Sequence, residues 1–556
     1  MYALGIDIGT STICAVVVDC GNKALGGGAV SSSVEEGGGW EEAARQVRGR
    51  EEAAGQARAG ALDSGALDSG ALDSGAAGSA AASGGAVVVD TATAPNSSHI
   101  EGAEYEDLQD PHAILDAVLR VAGELCAKHN PVGAIGLSCQ MHGIVYTDSS
   151  GNAVSPLYTW QDGRGGVIAP EGVSYVKELE AVSGHSGLAS GYGAVTHYYN
   201  TRNRLIPAGA VGFCPIGDYV AMQLTGRRDC ATHMSNAASL ALYDIDSGRF
   251  DAAAIAKAGM DPAFFPKVET GCALFGKTRN GQGGACAGLG GTREESGGAC
   301  AGLGGSSREF GLIPGGIPVG FCIGDNQASF IGSVAAPDSM VLVNVGTGGQ
   351  ISAAGFRAEC PPGIDQRPLA GDYYLQAGST LCGGRAYAAL EKFFSSVLRM
   401  AGVAEPSPDA LYNAMGALLD DGGEAVDADP LNVSVRFCGT RLEPGLRGSI
   451  TNLGLGNFTP AHLVSGVLSG IADEFYELYG NMRDRGARDT LVGSGNGLRK
   501  NIRLRRKISE RFGMPLLITE HGEEASFGCA LFALTAGGHF KSLREAQKQI
   551  RYAQCK

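Results

Sequence analysis

Apolar and polar positions alternate along the chain in blocks that predict strands and helices in turn. The runs YALGIDIG and ICAVVVDC have strand length and flank a short TST turn, which predicts a β-hairpin. Further on, HAILDAVLRVAGELCAKH has apolar residues near helical spacing and leads into the strand-like run VGAIGLSC. The first part of the chain is therefore predicted to be a mixed α/β structure.

A second set of the same elements begins near residue 316. The run PVGFCIGD is strand-like, and SMVLVNVGTGGQISAAG predicts another strand-turn-strand unit. The helical pattern of TPAHLVSGVLSGIADEFYELYGNM then precedes the strand-like DTLVGSG. Because a hairpin with a Gly-Thr turn occurs in each half, we expect two related α/β domains that face each other.

Two segments interrupt this pattern. Residues 60–75 read GALDSGALDSGALDSG, and residues 283–305 contain GGACAGLGG twice. Repeats this short and this rich in Gly and Ser do not build a solenoid and behave as flexible chain. We expect low-complexity inserts at about 55–85 and 281–308 in an N-terminal domain over 1–315. A C-terminal domain is expected over 316–540, with a tail over 541–556.

Length, charge and cysteine usage narrow the class of protein. A chain of 556 residues favours two domains, and a net charge of −15 without a Lys/Arg run argues against nucleic acid or an anionic membrane as partner. The apolar first segment lacks a basic region and contains Asp7 and Asp19, so we expect no signal peptide. Fifteen cysteines without CxxC or metal-ligand spacing indicate reduced thiols and a cytoplasmic protein.

Two turns carry candidate phosphate chemistry. Asp7 ends the first strand and can hold a hydrated Mg²⁺. The turn that follows offers backbone N–H groups and hydroxyls to a phosphate through three residues: Thr10, Ser11 and Thr12. The second hairpin repeats such a turn at Gly346, Thr347 and Gly348. Either turn alone could be an ordinary hairpin turn, but together they could hold the β- and γ-phosphates of a nucleotide from two sides.

A third Gly-rich junction, GSGNG, joins a late strand to a helix. Its candidate nucleotide contacts are Gly493, Gly495 and Asn496. A flat base or a ribose fits against glycines because they carry no side chain. The alternative is the ordinary start of a helix, with Asn496 as its cap.

Polar and aromatic residues follow the strand VGAIGLSC. The segments QMHG and WQDGR contain Gln140, His142, Trp160, Asp162 and Arg164. Sugar hydroxyls need paired donors and acceptors, and an aromatic face suits sugar C–H groups, so this set favours sugar binding. A structural role for His142 and a core position for Trp160 are the alternatives.

A carboxylate, Asp325, stands where the strand-like VGFCIG meets a helix of small residues. Such a group could accept a proton from a substrate hydroxyl. The alternative is that Asp325 only caps the helix.

In chain order, GIDIGT, QMHG, W-x-D-G-R, GDNQAS, NVGTG and GSGN resemble the FGGY family of carbohydrate kinases. The resemblance covers nearly the whole chain apart from the two repeats. Within the family, TWQDGR, ASGYGAVTHYY, IGDYVAMQLTG, NAASLALYDI and VGSGNGLRKN are more similar to the sedoheptulokinase branch than to xylulokinases or glycerol kinases.

The resemblance implies two actin-like, ribonuclease-H-like α/β domains with an active-site cleft between them. Asp325 matches the catalytic base, at the start of the second domain, and Asp7 matches the magnesium-associated aspartate. The three Gly-containing segments described above match the two phosphate turns and the adenosine loop. The sugar contacts would be Gln140, Met141, His142, Trp160, Asp162 and Arg164, with Asp325 beside the reacting hydroxyl. One departure is His233 in THMSNAAS, where many members carry an acid on the far wall of the pocket.

The implied activity is Mg²⁺- and ATP-dependent phosphorylation of the primary hydroxyl of a ketose, sedoheptulose to sedoheptulose 7-phosphate. Phosphorylation of another ketose or polyol, such as xylulose, ribulose or glycerol, is an alternative. A non-catalytic nucleotide-binding sugar sensor on the same fold is another, although retention of Asp7, Asp325 and both phosphate turns argues against it. The expected partners are a small sugar and ATP, and a homodimer stays open as an assembly state.

Overall fold

The computed structural model describes residues 1–21, 85–279, 313–420, 423–483 and 485–553. The two expected inserts, at about 55–85 and 281–308, lie outside the described residues except for Gly85. All elements below are numbered in chain order within the described part.

The first half contains short and long strands around one large sheet. Its strands are β1 Tyr2–Ile8, β2 Thr12–Asp19, β3 Val87–Pro95, β4 His99–Ile100, β5 Leu108–Gln109, β6 Val132–Cys139, β7 Val145–Thr147, β8 Leu157–Tyr158, β9 Gly212–Cys214, β10 Ala231–His233, β11 Tyr243–Asp244, β12 Arg249–Phe250, β13 Lys267–Glu269, β14 Leu274–Lys277, β15 Pro318–Gly320 and β16 Ile323–Gly324. Its helices are α1 Pro111–Lys128, α2 Tyr175–Ser183, α3 Gly193–Arg202, α4 Ile216–Thr225, α5 Met234–Ala237, α6 Ala252–Lys257 and α7 Asp325–Ser333.

The second half has a six-stranded sheet and most of the long helices. Its strands are β17 Met340–Val345, β18 Gly349–Gly355, β19 Ile364–Ala370, β20 Tyr373–Thr380, β21 Asn432–Ser434, β22 Ser449–Thr451, β23 Thr490–Ser494 and β24 Leu516–Ile518. Its helices are α8 Gly383–Met400, α9 Pro408–Asp420, α10 Gly423–Ala428, α11 Pro460–Asn481, α12 Asn496–Lys500, α13 Ile502–Phe512, α14 Glu524–Ala536 and α15 Leu543–Gln547.

The two large sheets share one strand order. In the first, β3, β2 and β1 are antiparallel neighbours, and β1 continues into the parallel strands β6 and β15. In the second, β20, β18 and β17 are antiparallel, and β17 continues into the parallel strands β23 and β24. The predicted repeat of a hairpin-led α/β unit is confirmed by this matching order.

The predicted elements form for identifiable local reasons. In the first hairpin the Gly9 amide donates to the Thr12 carbonyl at 3.0 Å, and Asp7 pairs with Cys14. Helix α1 begins after Asp110, whose carboxylate accepts from the His112 amide, with Pro111 at the first helical position. The predicted strands and helices from the second half are also present, although PVGFCIGD is divided into β15 and β16.

The change of sheet differs from the predicted domain boundary at residue 315. Val319 pairs with Ile135, and Gly324 pairs with Cys139, so β15 and β16 both extend the first sheet beside β6. The second sheet begins only at β17. A strand-like pattern shows that a segment is extended, but it does not show which sheet supplies the partner. The junction that carries Asp325 therefore belongs to the first sheet, and not to a domain that starts at 316.

Helix α14, near the end of the chain, packs back onto this first sheet. It contacts β1, β6 and α7. A Cβ atom on Gly136 of β6 would collide with the Cys529 carbonyl, and one on Gly332 of α7 would collide with the Glu524 carbonyl. Glycine at these two places lets the α14 backbone approach the sheet and α7 closely. The packing fixes α7, and with it the strand-to-helix junction at Asp325.

A separate apolar cluster supports the segments between residues 140 and 265. It is rich in buried aromatic residues, among them Tyr146, Tyr198 and Phe213, which are at most 2% exposed. Within the described part of the chain, no helix is both long and apolar enough to cross a membrane.

Candidate active site

Three parallel strands of the first sheet end at the same edge. Ile8 of β1 and Gly324 of β16 both pair with Cys139, the last residue of β6. Asp7, Gln140 and Asp325 therefore lie along this edge, and the backbones that carry the two acids are about 10 Å apart, or two interstrand spacings. Ligands of α/β sheets bind at such carboxyl ends of the strands.

Asp7 lies among other acidic side chains, and Ser138 is its hydrogen-bond partner. Its Oδ1 accepts a hydrogen bond from the Ser138 hydroxyl at 2.8 Å. Burial and repulsion from Asp325 and Glu523 raise the pKa of Asp7 to about 7. The hydrogen bond from Ser138 offsets part of this shift. Negative charge on Asp7 is thus unfavourable in the absence of a cation, and a divalent cation beside it would favour the ionised form.

The donor set fits magnesium held mainly through water. Carboxylate and hydroxyl oxygens are the ligands that Mg²⁺ prefers, and Asp7 supplies such an oxygen. Among the described residues, however, no group of three or more His, Cys, Asp and Glu side chains could hold a metal ion. One carboxylate, ordered water and nucleotide phosphate oxygens are the coordination that this arrangement allows.

Asp325 is the first residue of α7, and Gly324 is the residue at the N-cap position. The carboxylate accepts from the Asn326 amide at 2.6 Å. Burial raises the pKa of Asp325 to about 6, which is partly offset by this hydrogen bond and by the Arg367 cation. The carboxylate is ionised at neutral pH and its pKa lies close to it, as a general base requires.

Arg367, on β19 of the second sheet, is close enough to this carboxylate to lower its pKa. Its guanidinium donates to Gln350 Oε1 at 3.1 Å and to Asp365 Oδ2 at 2.9 Å. The backbone beside it is tied to α7, because Gln327 donates to the Pro368 carbonyl at 3.1 Å. The second half therefore contributes a guanidinium, itself paired with Asp365, to the surroundings of the candidate base.

We expect Arg367→Met to raise the pH at which kcat/KM reaches half of its plateau. The base must be ionised to accept a proton, so wild-type kcat/KM should rise with pH through about 6. Without the cation the carboxylate ionises at higher pH, and the midpoint should move upwards, whereas Arg367→Lys should keep most of the wild-type value. The measurement is a pH profile at saturating Mg²⁺. A midpoint that does not move would contradict this role.

The first turn predicted to bind phosphate is held by amide side chains. Thr10 donates its hydroxyl to Gln140 Oε1 at 3.1 Å, and Gln140 in turn donates to Gln109 Oε1 at 2.8 Å. Gln109 donates to the Thr10 carbonyl at 2.9 Å, and Asn96 donates to the Gly9 carbonyl at 2.9 Å. With these groups engaged, the turn can offer a phosphate its backbone N–H groups and the exposed side chains of Ser11 and Thr12.

Trp160, one of the residues predicted to contact the sugar, lies beside this turn. Its indole N–H donates to Thr10 Oγ1 at 3.0 Å, while the side chain is 48% exposed. The structure does not place Trp160 in the core, so its ring face is available to sugar C–H groups.

Asp162 and Arg164, which follow Trp160 in the chain, are both buried. Arg164 donates through Nε to Asp162 Oδ1 at 2.6 Å and through Nη1 to Asn200 at 2.9 Å, and its guanidinium lies 4.1 Å from the Tyr158 ring centroid. Asp162 is 0% exposed. Since these charges are engaged with each other, the two residues hold the loop that presents Trp160, and they do not face the pocket as free sugar contacts.

His142 is held in a strained conformation at the pocket. Its φ of 76° is in the left-handed region, which costs a non-glycine residue on the order of 1 kcal/mol. Ser239 compensates: its hydroxyl accepts from the His142 amide at 3.2 Å, and its carbonyl accepts from Nδ1 at 2.7 Å. Burial lowers the pKa of His142 to about 4, so the ring is neutral, with Nδ1 protonated and Nε2 left as an acceptor for a sugar hydroxyl.

Tyr192 extends the surface next to His142. The two rings are stacked at 4.6 Å between centroids and 6° between planes. Met141, the residue before His142, approaches the base instead, because its sulfur lies 3.8 Å from Asn326 Nδ2. The QMHG segment thus contacts the phosphate turn through Gln140, the base helix through Met141 and the pocket through His142.

The second turn predicted to bind phosphate joins β17 to β18 and lies against the start of α8. Gly384 and Arg385 donate their amides to the carbonyls of Gly346 and Thr347, each at 3.0 Å. A Cβ on Gly348 would lie 2.8 Å from the Thr380 carbonyl, so this position requires glycine. The turn carbonyls are engaged by α8, and Gly346 and Thr347 are exposed for a ligand.

The predicted adenosine loop follows β23. Gly495 has φ 80° and is the N-cap of α12, so Asn496 is the first helical residue and not the cap. A Cβ on Gly495 would lie 2.6 Å from the Val345 carbonyl at the end of β17. Gly493 is buried against Leu498 and Ile518, beneath the loop. Gly495 and Asn496 are therefore the members that reach the surface.

We expect Gly495→Ala to raise the KM for ATP by about tenfold or more, because the added methyl group meets both a strained φ and the Val345 carbonyl. Gly513→Ala is the matched control, since Gly513 has φ 65° and open space around its Cβ position. Both variants should lose stability, but only Gly495→Ala should affect the KM for ATP. Equal ATP kinetics in the two variants would contradict a role for this loop in nucleotide binding.

Several residues of the site carry no signal in the sequence that points to them. Ser138, Tyr192, Ser239 and Arg367 become neighbours of the predicted residues only through strand pairing and loop packing. The candidate site thus comprises one candidate catalytic carboxylate, one candidate metal carboxylate, two turns predicted to bind phosphate, and the rings of Trp160, His142 and Tyr192. These are the components that phosphoryl transfer to a hydroxyl needs.

Comparison with known protein families agrees with this set of site components. The model of the N-terminal domain of the FGGY family of carbohydrate kinases matches residues 69–290, and the C-terminal domain model matches residues 342–537. The chain belongs to the FGGY family of carbohydrate kinases, and it is a sugar kinase that uses ATP as phosphoryl donor. The opening hairpin precedes the matched range, but β1 pairs with β6 inside it.

Individual relatives are distant. The chain is 24% identical to sedoheptulokinase from Mus musculus over 471 residues, which cover 80% of this chain and 90% of that protein. It is 20% identical to glycerol kinase 1 from Thermotoga maritima over 465 residues, or 80% and 85% of the two chains.

Solved structures share the fold across the chain. Xylulose kinase from Rhodospirillum rubrum superposes with a TM-score of 0.70 at 18% identity, covering 100% of this chain and 93% of that one. Glycerol kinase from Plasmodium falciparum with ADP gives a TM-score of 0.65 at 16% identity, covering 99% and 93%. The fold is accordingly the two-domain actin-like α/β fold that was predicted.

Proposed function

We propose that this kinase phosphorylates the primary hydroxyl of a ketose, and that sedoheptulose is its preferred substrate, giving sedoheptulose 7-phosphate. The observation that supports the substrate is the similarity to mouse sedoheptulokinase over 90% of that protein's length. The observation that supports the chemistry is the shared sheet edge of Asp7, Gln140 and Asp325.

In the proposed reaction, Asp325 accepts the proton of the primary hydroxyl while its oxygen attacks the γ-phosphorus of ATP. The hydrogen bond from the Asn326 amide and the Arg367 cation both lower the pKa of this carboxylate against the effect of burial. Backbone N–H groups of the two turns hold the β- and γ-phosphates, so the transferred group lies between the acids. Magnesium, when bound, neutralises charge on the phosphates, and Asp7 is the residue that would hold it through water.

The sugar is proposed to lie between Trp160 and the His142–Tyr192 stack. Trp160 offers an exposed ring face, and neutral His142 offers Nε2 as an acceptor. Asp162 and Arg164 hold the Trp160 loop, and Gln140 holds the phosphate turn. These roles separate residues that touch the sugar from residues that support them.

A substrate panel tests the proposal. Release of ADP would be coupled to a spectrophotometric assay with sedoheptulose, xylulose, ribulose and glycerol, with and without Mg²⁺. We expect sedoheptulose to give the highest kcat/KM, by about tenfold or more over the others. A higher value for xylulose, ribulose or glycerol would assign that substrate instead. Binding of ATP and sugar without ADP release would favour the non-catalytic sensor.

A further inference from the structure

His233, the residue that departs from the family pattern, does not line the sugar pocket. It is 0% exposed, and its ring packs edge-on against Phe532 of α14 at 5.2 Å between centroids. Its position at the end of β10 and before α5 makes it the N-cap of that short helix, where Nδ1 accepts from the Ser235 amide at 3.2 Å. Its effect on the reaction must therefore pass through neighbouring residues.

A short chain of hydrogen bonds connects this ring to the backbone of the base. The Gly324 amide donates to Ser235 Oγ at 3.1 Å, and Ser235 Oγ lies 2.8 Å from His233 Nδ1. Gly324 is the residue immediately before Asp325. Next to this chain, Asn236 donates to the Cys322 carbonyl at 3.1 Å. Two adjacent side chains of α5 thus hold both ends of the segment that leads into the base.

The protonation state of His233 follows from its surroundings. Burial lowers the pKa of His233 to about 3, which the backbone of Gly271 offsets only in part, so the ring is neutral. Nδ1 already accepts from the Ser235 amide, so it carries no proton and also accepts from the Ser235 hydroxyl. The hydroxyl is thereby oriented with its lone pairs towards the Gly324 amide. One imidazole nitrogen, through one serine, sets the position of a buried N–H group beside the base.

The same segment also supports His142, which is predicted to contact the sugar. Ser239, four residues after Ser235, supports the strained His142 through two hydrogen bonds, and its own hydroxyl donates to the Asn236 carbonyl at 2.7 Å. Residues 233–239 therefore connect the pocket residue His142 with the junction before Asp325.

We propose that His233 is a positioning residue for the reaction: its unprotonated Nδ1 orients Ser235, which fixes Gly324 and thereby the direction of the Asp325 carboxylate. The inference rests on the proposed role of Asp325 as the base. In this role the imidazole acts as a neutral acceptor. A carboxylate at the same place would be either charged or protonated, and it would lack the ring contact with Phe532.

Two substitutions in the full-length protein separate the two ring nitrogens. Asparagine places its amide oxygen near the position of Nδ1, whereas glutamine places its amide group near that of Nε2. Both remove the ring contact with Phe532, so both should lose similar stability. We expect His233→Gln to lower kcat by about 10- to 100-fold with the sugar KM changed less than about threefold, because small misplacements of a catalytic group are costly. His233→Asn should retain kcat within about threefold of wild type.

A folded His233→Gln variant with wild-type kcat would overturn the proposal, and so would a His233→Asn variant impaired as strongly as His233→Gln. Ser235→Ala provides a second route, since it removes the acceptor of the Gly324 amide directly and should show the same selective loss of kcat. If the variants do not fold, hydrogen exchange of the wild-type protein decides the matter. A Gly324 amide that exchanges as fast as an exposed loop amide would refute the hydrogen bond.

Failure of the positioning role and failure of the proposed function give different results. If Asp325→Asn remains active, the base assignment is wrong and His233 has no base to position. If Asp325→Asn is inactive while His233→Gln and Ser235→Ala have normal kcat, only the positioning role is refuted.

Discussion

Replacement of Asp325 by asparagine is expected to lower kcat by about 10²- to 10⁴-fold, the usual contribution of a positioned base. Asparagine keeps the shape of the side chain and can still bond the Asn326 amide, but it cannot accept the hydroxyl proton. The loss should fall on the transition state, so the sugar KM should change far less than kcat. Steady-state kinetics with the best substrate of the panel measures both.

The structure makes this substitution decisive, because the capping alternative predicts the opposite result. Gly324 occupies the N-cap of α7, and Asp325 lies one residue inside the helix. Asn would serve almost as well as Asp if the residue only supported the helix start. Asp372→Asn is the matched control, since Asp372 is exposed in the turn between β19 and β20. A folded Asp325→Asn variant with more than about a tenth of wild-type kcat would remove Asp325 from the role.

Much of the fold could be predicted because its signals are local. The hairpins at β1–β2 and β17–β18 show two apolar runs around a Gly-Thr turn, and α1 shows a helical pattern after a capping Asp110. The sheet that receives β15 and β16 could not be predicted, since pairing depends on contacts between distant segments. This is why the base was expected at the start of the second domain, although it follows a strand of the first sheet.

For the candidate site, too, some features could be predicted from the sequence and others could not. Turns and glycines such as Gly348 and Gly495 are visible in the sequence, because the backbone itself limits which residue fits. The roles of Asp162 and Arg164 could not be separated from sugar binding, since a buried ion pair and a sugar site use the same residue types. Arg367 had no signal, because it approaches Asp325 from β19 only after the two halves come together.

Replacement of Asp7 by asparagine is expected to raise the Mg²⁺ concentration required for half-maximal activity by about 10- to 100-fold, as for other groups that orient a hydrated metal. Asp7 can offer the metal a charged carboxylate oxygen, whereas an amide at the same place offers it no charge. Magnesium titration of kcat at fixed ATP measures the shift. Asp19→Asn is the matched control, because Asp19 lies at the far end of β2 beside the N-terminus.

The same variant should differ in stability when no metal is present, and this second measurement is independent of activity. The folded-state pKa of Asp7, about 7, is above its ordinary value of 3.8. The folded protein therefore holds this proton more tightly than the unfolded chain, so stability contributed by the protonated form is lost as pH rises from about 4 to about 7. Without Mg²⁺ at pH 8, Asp7→Asn should melt at a higher temperature than wild type, whereas Mg²⁺ with ATP should stabilise wild type more than the variant. A lower melting temperature for Asp7→Asn at pH 8, together with an unchanged Mg²⁺ requirement, would show that Asp7 supports the fold and does not hold the metal.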